Sequence, residues 1–251
     1  MTVLGHNTTT GAPVTLCAEA RARGIYMIGA TGTGKTTLLQ SIAYQDMKAG
    51  EGLCVLDPHG DMIDYLLARV PEEREEDVLL FNPADEDWPF GLNLLECDHD
   101  NPKEVRWVVS TIMGTLRRLN EWSWGPHLEH VLGHTLWTAM AIDDSTLLEV
   151  LLLLTNKKYR KESVERLDEP VLVDFWEQFP IHQRDQLEFI SSTVNKLTPF
   201  LLDKGMRNII GQPKSTFNLR KLMDEQKILL VNLAKGELGE NNSALLGSVL
   251  I

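Results

Sequence analysis

The sequence has little of what would mark a secreted or membrane-spanning chain. Its 251 residues hold three cysteines, Cys17, Cys54 and Cys97. These lie too far apart to pair as metal ligands and are odd in number, which excludes a disulfide framework and fits thiols packed in a reducing cytoplasm. No apolar run approaches the roughly eighteen residues that a membrane helix needs. The longest candidate, "LLEVLLLL" (Leu147–Leu154), is broken by Glu149 and reads as a buried helix. The start, "MTVLGHNTTTG", lacks both the basic and the apolar stretch of a secretion signal. Positive charge is scarce as well: 24 Lys and Arg stand against 36 Asp and Glu, for a formal net charge of -12. That balance excludes a chain that coats nucleic acid over its whole surface, because non-specific affinity comes from cations replacing counterions, but it leaves room for a local basic channel. The acid gathers in "PEEREEDV" and "ADEDW" and the base in "NKKYRK", which read as solvated faces. There is no internal repeat and no low-complexity segment.

What is present reads as an α/β chain, large enough for one domain or for a core carrying an insertion. From Gly24 to Leu56 the pattern is a strand ("IYMI"), a glycine-rich turn, a helix with Leu38, Ile42 and Met47 at helical spacing, and a buried strand ("LCVL"). This predicts one right-handed βαβ unit. The helix "GDMIDYLLARV" and the strand "VLLFNPA" follow. Beyond Asn101 the texture turns helical for about a hundred residues, until "KILLVNL" returns as a strand. The expected division is a core over residues 1–100, an all-helical insertion domain over 101–205, and the core resumed over 206–251.

Within the first unit, Gly29-Ala30-Thr31-Gly32-Thr33-Gly34-Lys35-Thr36 meets the phosphate-loop pattern at every required position, with Thr37 following and a strand and a helix on its flanks. The chemistry explains the spacing. Glycines turn backbone amides inward around phosphates, the next helix points its positive end at them, Lys35 reaches the β/γ oxygens, and the Thr36 hydroxyl ligates Mg²⁺. "TNKKY" (Thr155–Tyr159) lacks the aspartate of a guanine-specificity motif, and no Leu-Ser-Gly-Gly-Gln signature of transporter ATPases occurs. ATP hydrolases with additional strands and nucleotide kinases remain.

Asp57, at the end of "LCVLD", stands by spacing where a Walker B acid or another Mg²⁺ neighbour would act; the competing reading is a turn built with Pro58 and Gly60. His59 and Asp61 are weaker neighbours. His127, His130 and His134 share one helical face without an acidic or thiol partner at metal-ligand spacing, so helix packing outweighs a metal site. Trp122 and Trp124 can stack on bases or anchor packing. Arg207 is a candidate arginine finger, set against a plain salt bridge.

The stretches "IGATGTGKTTLL", "DMKAGEGLCVLDPHGDMIDYLL", "VLLFNPADEDWPFGLNLLE", "WGPHLEHVLGHTL" and "ILLVNLAKGELGENNSALLGSVL" resemble the ATPases of the HerA–FtsK superfamily, in particular coupling proteins of conjugation and type IV secretion. The resemblance implies a P-loop NTPase core of the RecA-like, additional-strand type with an all-α insertion. It also implies ATP and Mg²⁺ as cofactors, a ring-forming motor, usually a hexamer, that moves DNA, and relaxosome or secretion-system proteins as partners. It puts Asp57 in a strand-end motif near the nucleotide and expects the hydrolytic Asp-Glu pair after the "GSVL" helix, beyond Ile251, so the sheet is expected to be short of strands and the isolated chain to hydrolyse ATP barely. Such proteins commonly carry N-terminal membrane helices; this sequence enters the core at once, giving an expectation of a cytoplasmic protein recruited to the inner membrane. The competing readings are a small-molecule phosphotransferase with a helical lid and a nucleotide-dependent switch.

Overall fold

A computed structural model describes every residue, Met1–Ile251, and the chain divides into two compact units. The first comprises Met1–Asn82 and Asn218–Ala234, the second Pro83–Phe217 and Lys235–Ile251.

The first unit opens with an antiparallel hairpin of β1 (Thr2–His6) and β2 (Pro13–Leu16), followed by the short helix α1 (Ala18–Arg21). Helix α2 (Lys35–Lys48), strand β3 (Leu53–Asp57), helix α3 (Asp61–Leu67) and strand β4 (Val78–Phe81) come next. The chain returns to this unit later, and the elements of the excursion are α4 (Pro102–Leu119), α5 (Pro126–Met140), α6 (Leu147–Thr155), α7 (Lys157–Val164), α8 (Pro170–Glu177), α9 (Gln183–Leu202) and α10 (Lys204–Ile210). Helix α11 (Leu219–Asp224) and strand β5 (Ile228–Asn232) complete the first unit, and α12 (Lys235–Leu238) and α13 (Glu240–Val249) belong to the second.

The sheet has the order β3-β5-β4 and both pairings are parallel. Its central strand is the last one made. Ile228, Leu229, Leu230 and Val231 are all buried, as a continuous apolar run must be when ladders flank it on both sides and helices cover it. Ala43 and Met47 of α2 and Ile63 and Leu66 of α3 close over Ile228 and Leu230 to form the core of the unit. Arg74 ties the opposite end: its guanidinium donates to the Met47 carbonyl (3.1 Å), the Gln226 carbonyl (2.7 Å) and the Asp77 carboxylate (2.6 Å), so one buried side chain joins three segments remote in sequence.

The expected strand "IYMI" does not form. Residues 25–28 pair with no ladder, and Tyr26 and Ile28 are 89% and 84% exposed. A strand exists through its neighbours, and none of the three strands of the sheet lies against this run. The hairpin at the start was not expected. It is fastened to α2 by Gln45, whose side-chain amide accepts from the Val3 N–H (2.8 Å) and donates to the Val3 carbonyl (2.9 Å). Arg21 adds a two-pronged pair with Asp46 at 2.6 and 2.7 Å.

The second unit is helical. Its helices start where the sequence supplies caps: Asn101 accepts from the Lys103 N–H ahead of α4, Thr146 and Glu149 form a reciprocal capping box on α6, and Asp203 caps α10. Helix α5 is the hub, with Leu128, Val131, Leu132 and Leu136 fully buried and α4, α6, α8 and α9 packed around it. The breaks expected at residues 100 and 205 both lie inside this unit. Residues 83–100 are held there by Asn93, whose amide donates to the Ser145 and Pro213 carbonyls at 2.9 and 2.8 Å, and by the Leu92 N–H bonded to the Ile209 carbonyl. No helix is long and apolar enough to cross a membrane.

Candidate nucleotide-binding site

The loop before α2 is shaped by its glycines. Gly32 (φ 81°) and Gly34 (φ 89°) adopt left-handed backbone that other residues take up only with strain. At Gly29 a β-carbon would lie 2.6 Å from the Thr33 hydroxyl, so the loop leaves no room for one. That hydroxyl donates to the Ala30 carbonyl at 2.8 Å and closes the turn from inside. Lys35 is the first residue of α2, and its ammonium donates to the Gly29 and Ala30 carbonyls, both at 2.8 Å. It therefore sits over the loop, held by neutral oxygens. The first turn of α2 carries no acid and its start has no side-chain cap, so its amides and the positive end of the helix are open to an anion. The loop is exposed from Gly29 to Gly34, as are the Thr36 and Thr37 side chains next to the lysine.

These groups fit a nucleoside triphosphate with Mg²⁺. An uncapped amide cluster, one ammonium without a carboxylate and a hydroxyl at the following position are the donor set that a polyphosphate and its cation require.

At the end of β3, Asp57 is 7% exposed and each of its carboxylate oxygens bonds a backbone amide. One oxygen accepts from the His59 N–H (2.9 Å), the other from the Met62 N–H (2.8 Å), and its carbonyl accepts from the Leu233 N–H (2.9 Å). The side chain thus closes the turn and caps the start of α3, the turn role weighed against the magnesium role above. Each oxygen keeps a further lone pair. Sequence reasoning missed the neighbour at this strand end, Asn232 of β5, which is in register with Asp57. Its side-chain oxygen accepts from the Ala234 N–H at 3.1 Å, and a β-carbon on Gly60 (φ 92°) would come within 3.2 Å of it. The only signal was a polar residue closing the apolar run "ILLV". His59 and Asp61 are exposed.

The remaining candidates lie in the helical unit. Arg207 forms no salt bridge: its guanidinium donates to the Leu201 carbonyl (2.8 Å), and so caps the end of α9. The indole N–H of Trp124 donates to Glu129 (3.0 Å), while Trp122 is fully exposed. His127 contacts the Phe189 carbonyl (2.8 Å), and His130 and His134 pack with each other and with Phe175. Burial, followed by the neighbouring His134 and His127, pushes the His130 pKa below its ordinary value.

A family model described as the type IV secretion-system coupling protein DNA-binding domain matches residues 8–167, more than half of the chain. No curated protein sequence matches. Among solved structures the chain is similar to an unbound bacterial conjugative coupling protein, TrwBdeltaN70, at 18% identity and a TM-score of 0.59, covering 98% of this chain and 54% of that one. The plasmid coupling protein TrwB in complex with the non-hydrolysable ATP analogue ADPNP matches at 18% identity and a TM-score of 0.53, over 87% of this chain and 49% of that one. The same protein in complex with ADP and Mg²⁺ gives 18% and 0.54, over 88% and 50%. The chain spans about half the length of these structures. At this identity the likeness establishes the fold: a mixed α/β chain with a parallel sheet, like that of TrwB.

Proposed function

From the premise that the chain belongs to the type IV secretion-system coupling protein family, we propose that it is part of a motor that binds ATP and drives DNA transfer in conjugation or secretion. The observation that carries the reading is the loop at Gly29–Thr37, with Lys35 poised on the Gly29 and Ala30 carbonyls ahead of an uncapped helix. In this reading the loop amides and Lys35 hold the β- and γ-phosphates and Thr36 supplies its hydroxyl to Mg²⁺. Mg²⁺ would neutralise charge on the phosphates and make the terminal phosphoryl group susceptible to attack by water. Asp57 orders the turn behind the site and has lone pairs left for a metal-bound water. Arg207 would have to give up the α9 carbonyls to act on a neighbouring subunit, so it stands outside the proposed site. The helical unit, read as an insertion into the ATPase core, would recognise DNA or its bound proteins, and the assembly would be a hexameric ring at the inner membrane.

Lys35→Ala tests the site. It removes the only cation over the loop and leaves the amides in place, so calorimetry with ATP and Mg²⁺ should show binding by the parent chain and its loss in the variant, a weakening on the order of 100-fold or more for charge-assisted contacts to phosphate. An unchanged affinity would remove the nucleotide assignment. Hydrolysis measured with and without DNA should stay far below the ~1–100 s⁻¹ of working phosphoryl-transfer enzymes, since none of the strands β3, β4 and β5 ends in an Asp-Glu pair.

A further inference from the structure

Helix α4 carries an exposed face that its packing does not explain. Val105, Val108, Val109, Ile112, Thr115 and Leu116 are buried, and α5 and α13 pack on the helix. At about 100° per residue the opposite face follows positions 103, 107, 110, 114 and 117, with 106 and 118 on its flanks. These are Lys103, Trp107, Ser110, Gly114 and Arg117, with Arg106 and Arg118. In a chain with a net charge of -12, this one helix has four cations and a single acid, Glu104. That acid lies to one side, engaged by the Asn101 amide and the Asp98 N–H. Lys103 and Arg106 have no ion-pair partner, and Arg117 comes only within 4.0 Å of Glu129. Trp107 stands 69% exposed among them.

Two further observations point the same way. Gly114 lies mid-helix, where glycine weakens the helix, yet a β-carbon there would meet nothing within 4 Å. Packing does not demand it; its effect is a flat place on the cationic face where another backbone can come close. Just beyond the helix, Trp122 is completely exposed, and the adjacent Ser123 accepts from the Lys196 ammonium at 2.6 Å, which brings a further cation to this end. From Lys103 to Arg117 the face runs about 21 Å at 1.5 Å per residue.

We propose that this face of α4, with Trp107, Lys103, Arg106, Arg117 and Trp122, binds single-stranded DNA. Cations spaced along a stripe follow a phosphate backbone, and exposed indoles offer the stacking surface that only unpaired bases can use. A lipid surface fits less well, because the apolar side of the helix is already spent on the core of the unit. The proposal rests on the DNA-transfer reading above and names the strand form and the surface.

The test uses the 251-residue chain with a fluorescently labelled oligothymidine and a blunt duplex of equal length, read by anisotropy over a salt series. The parent should prefer the single strand. Trp107→Ala should weaken binding roughly 5- to 150-fold, the span of one base stack. Arg106→Glu with Arg117→Glu should weaken it further and flatten the salt dependence by about 0.7 log units for each phosphate left without its cation. Lys158→Glu with Lys161→Glu, on exposed α7, makes the same charge change elsewhere and should leave affinity near that of the parent. Circular dichroism should be unchanged in all variants, whose altered side chains are exposed. Equal weakening in the α4 and α7 pairs, or displacement of the oligonucleotide by polyglutamate as readily as by unlabelled DNA, overturns the surface in favour of bulk charge or an acidic protein. DNA binding that survives the α4 changes overturns the surface alone. A parent chain that binds neither DNA form overturns the DNA reading with it.

Discussion

Two apolar runs of similar character, Ile25–Ile28 and Ile228–Val231, reach opposite ends of the exposure scale. The second has a parallel ladder on each side and helices α2 and α3 over it, and it is wholly buried. The first leads into the glycine-rich loop with no ladder at all, and Tyr26 and Ile28 stand in solvent. Sequence character is much the same in both, so the difference lies in what reaches them. A run becomes a strand when other backbone meets its N–H and C=O groups, and side-chain type only makes that meeting favourable. The glycine-rich loop therefore hangs between an unanchored lead and a well-anchored helix. Its shape comes from Gly32, Gly34 and the Thr33 hydroxyl rather than from the sheet.

The comparison can be broken by a matched pair of substitutions. Leu230→Asp puts a carboxylate at the centre of the buried run and should cost more than about 4 kcal/mol, enough to abolish a cooperative unfolding transition in urea. Ile28→Asp makes the same chemical change in the exposed run and should stay within about 0.5 kcal/mol of the parent while reducing aggregation. A large destabilisation at Ile28 would mean that the run is paired in solution. Asp57→Ala should come between them. It strips acceptors from the His59 and Met62 amides, at a cost of about 2 kcal/mol on the scale of a strong helix cap, whereas Lys35→Ala on the exposed side should change nucleotide affinity and barely move the urea midpoint. The reverse outcome, with Asp57→Ala neutral to stability, would show that the buried turn is not held by its carboxylate.

The smallest expected effect involves His130. Its folded pKa is depressed below the value in the unfolded chain, so the unfolded state takes up the proton first. Stability should be complete above the ordinary histidine pKa near 6.5, fall as the pH drops through it, and level off below the folded value. Only part of the ring is withdrawn from solvent, so the slope will be slight. A urea-midpoint series against pH should lose that component in His130→Gln.

What was legible followed from local chemistry. The helices of the second unit were readable because their caps are written beside them, in Asn101-Pro102 and in Thr146 with Glu149 three residues on. The turn at Gly29–Gly34 was readable because its geometry demands glycine at fixed spacing, with positive φ at Gly32 and Gly34. The hairpin β1–β2 was missed because little of it is buried and its anchor, Gln45, lies 42 residues away from Val3. For the same reason no pattern assigned residues 83–100 to the helical unit: Asn93 finds its partners at Ser145 and Pro213. The cap at Arg207 and the register of Asp57 with Asn232 likewise depend on tertiary neighbours.

The sheet order has a consequence for how the chain emerges from the ribosome. Strands β3 and β4 do not pair with each other; each pairs only with β5, and the whole helical excursion from α4 to α10 separates β4 from β5 in sequence. During synthesis the two early strands must wait for their common partner. At ~5–20 residues per second that delay is on the order of ten to thirty seconds. Throughout it Leu53–Asp57 and Val78–Phe81 carry unmet backbone edges while the helices beyond them can already pack, so vectorial synthesis would favour folding of the helical unit ahead of the sheet that precedes it in the gene.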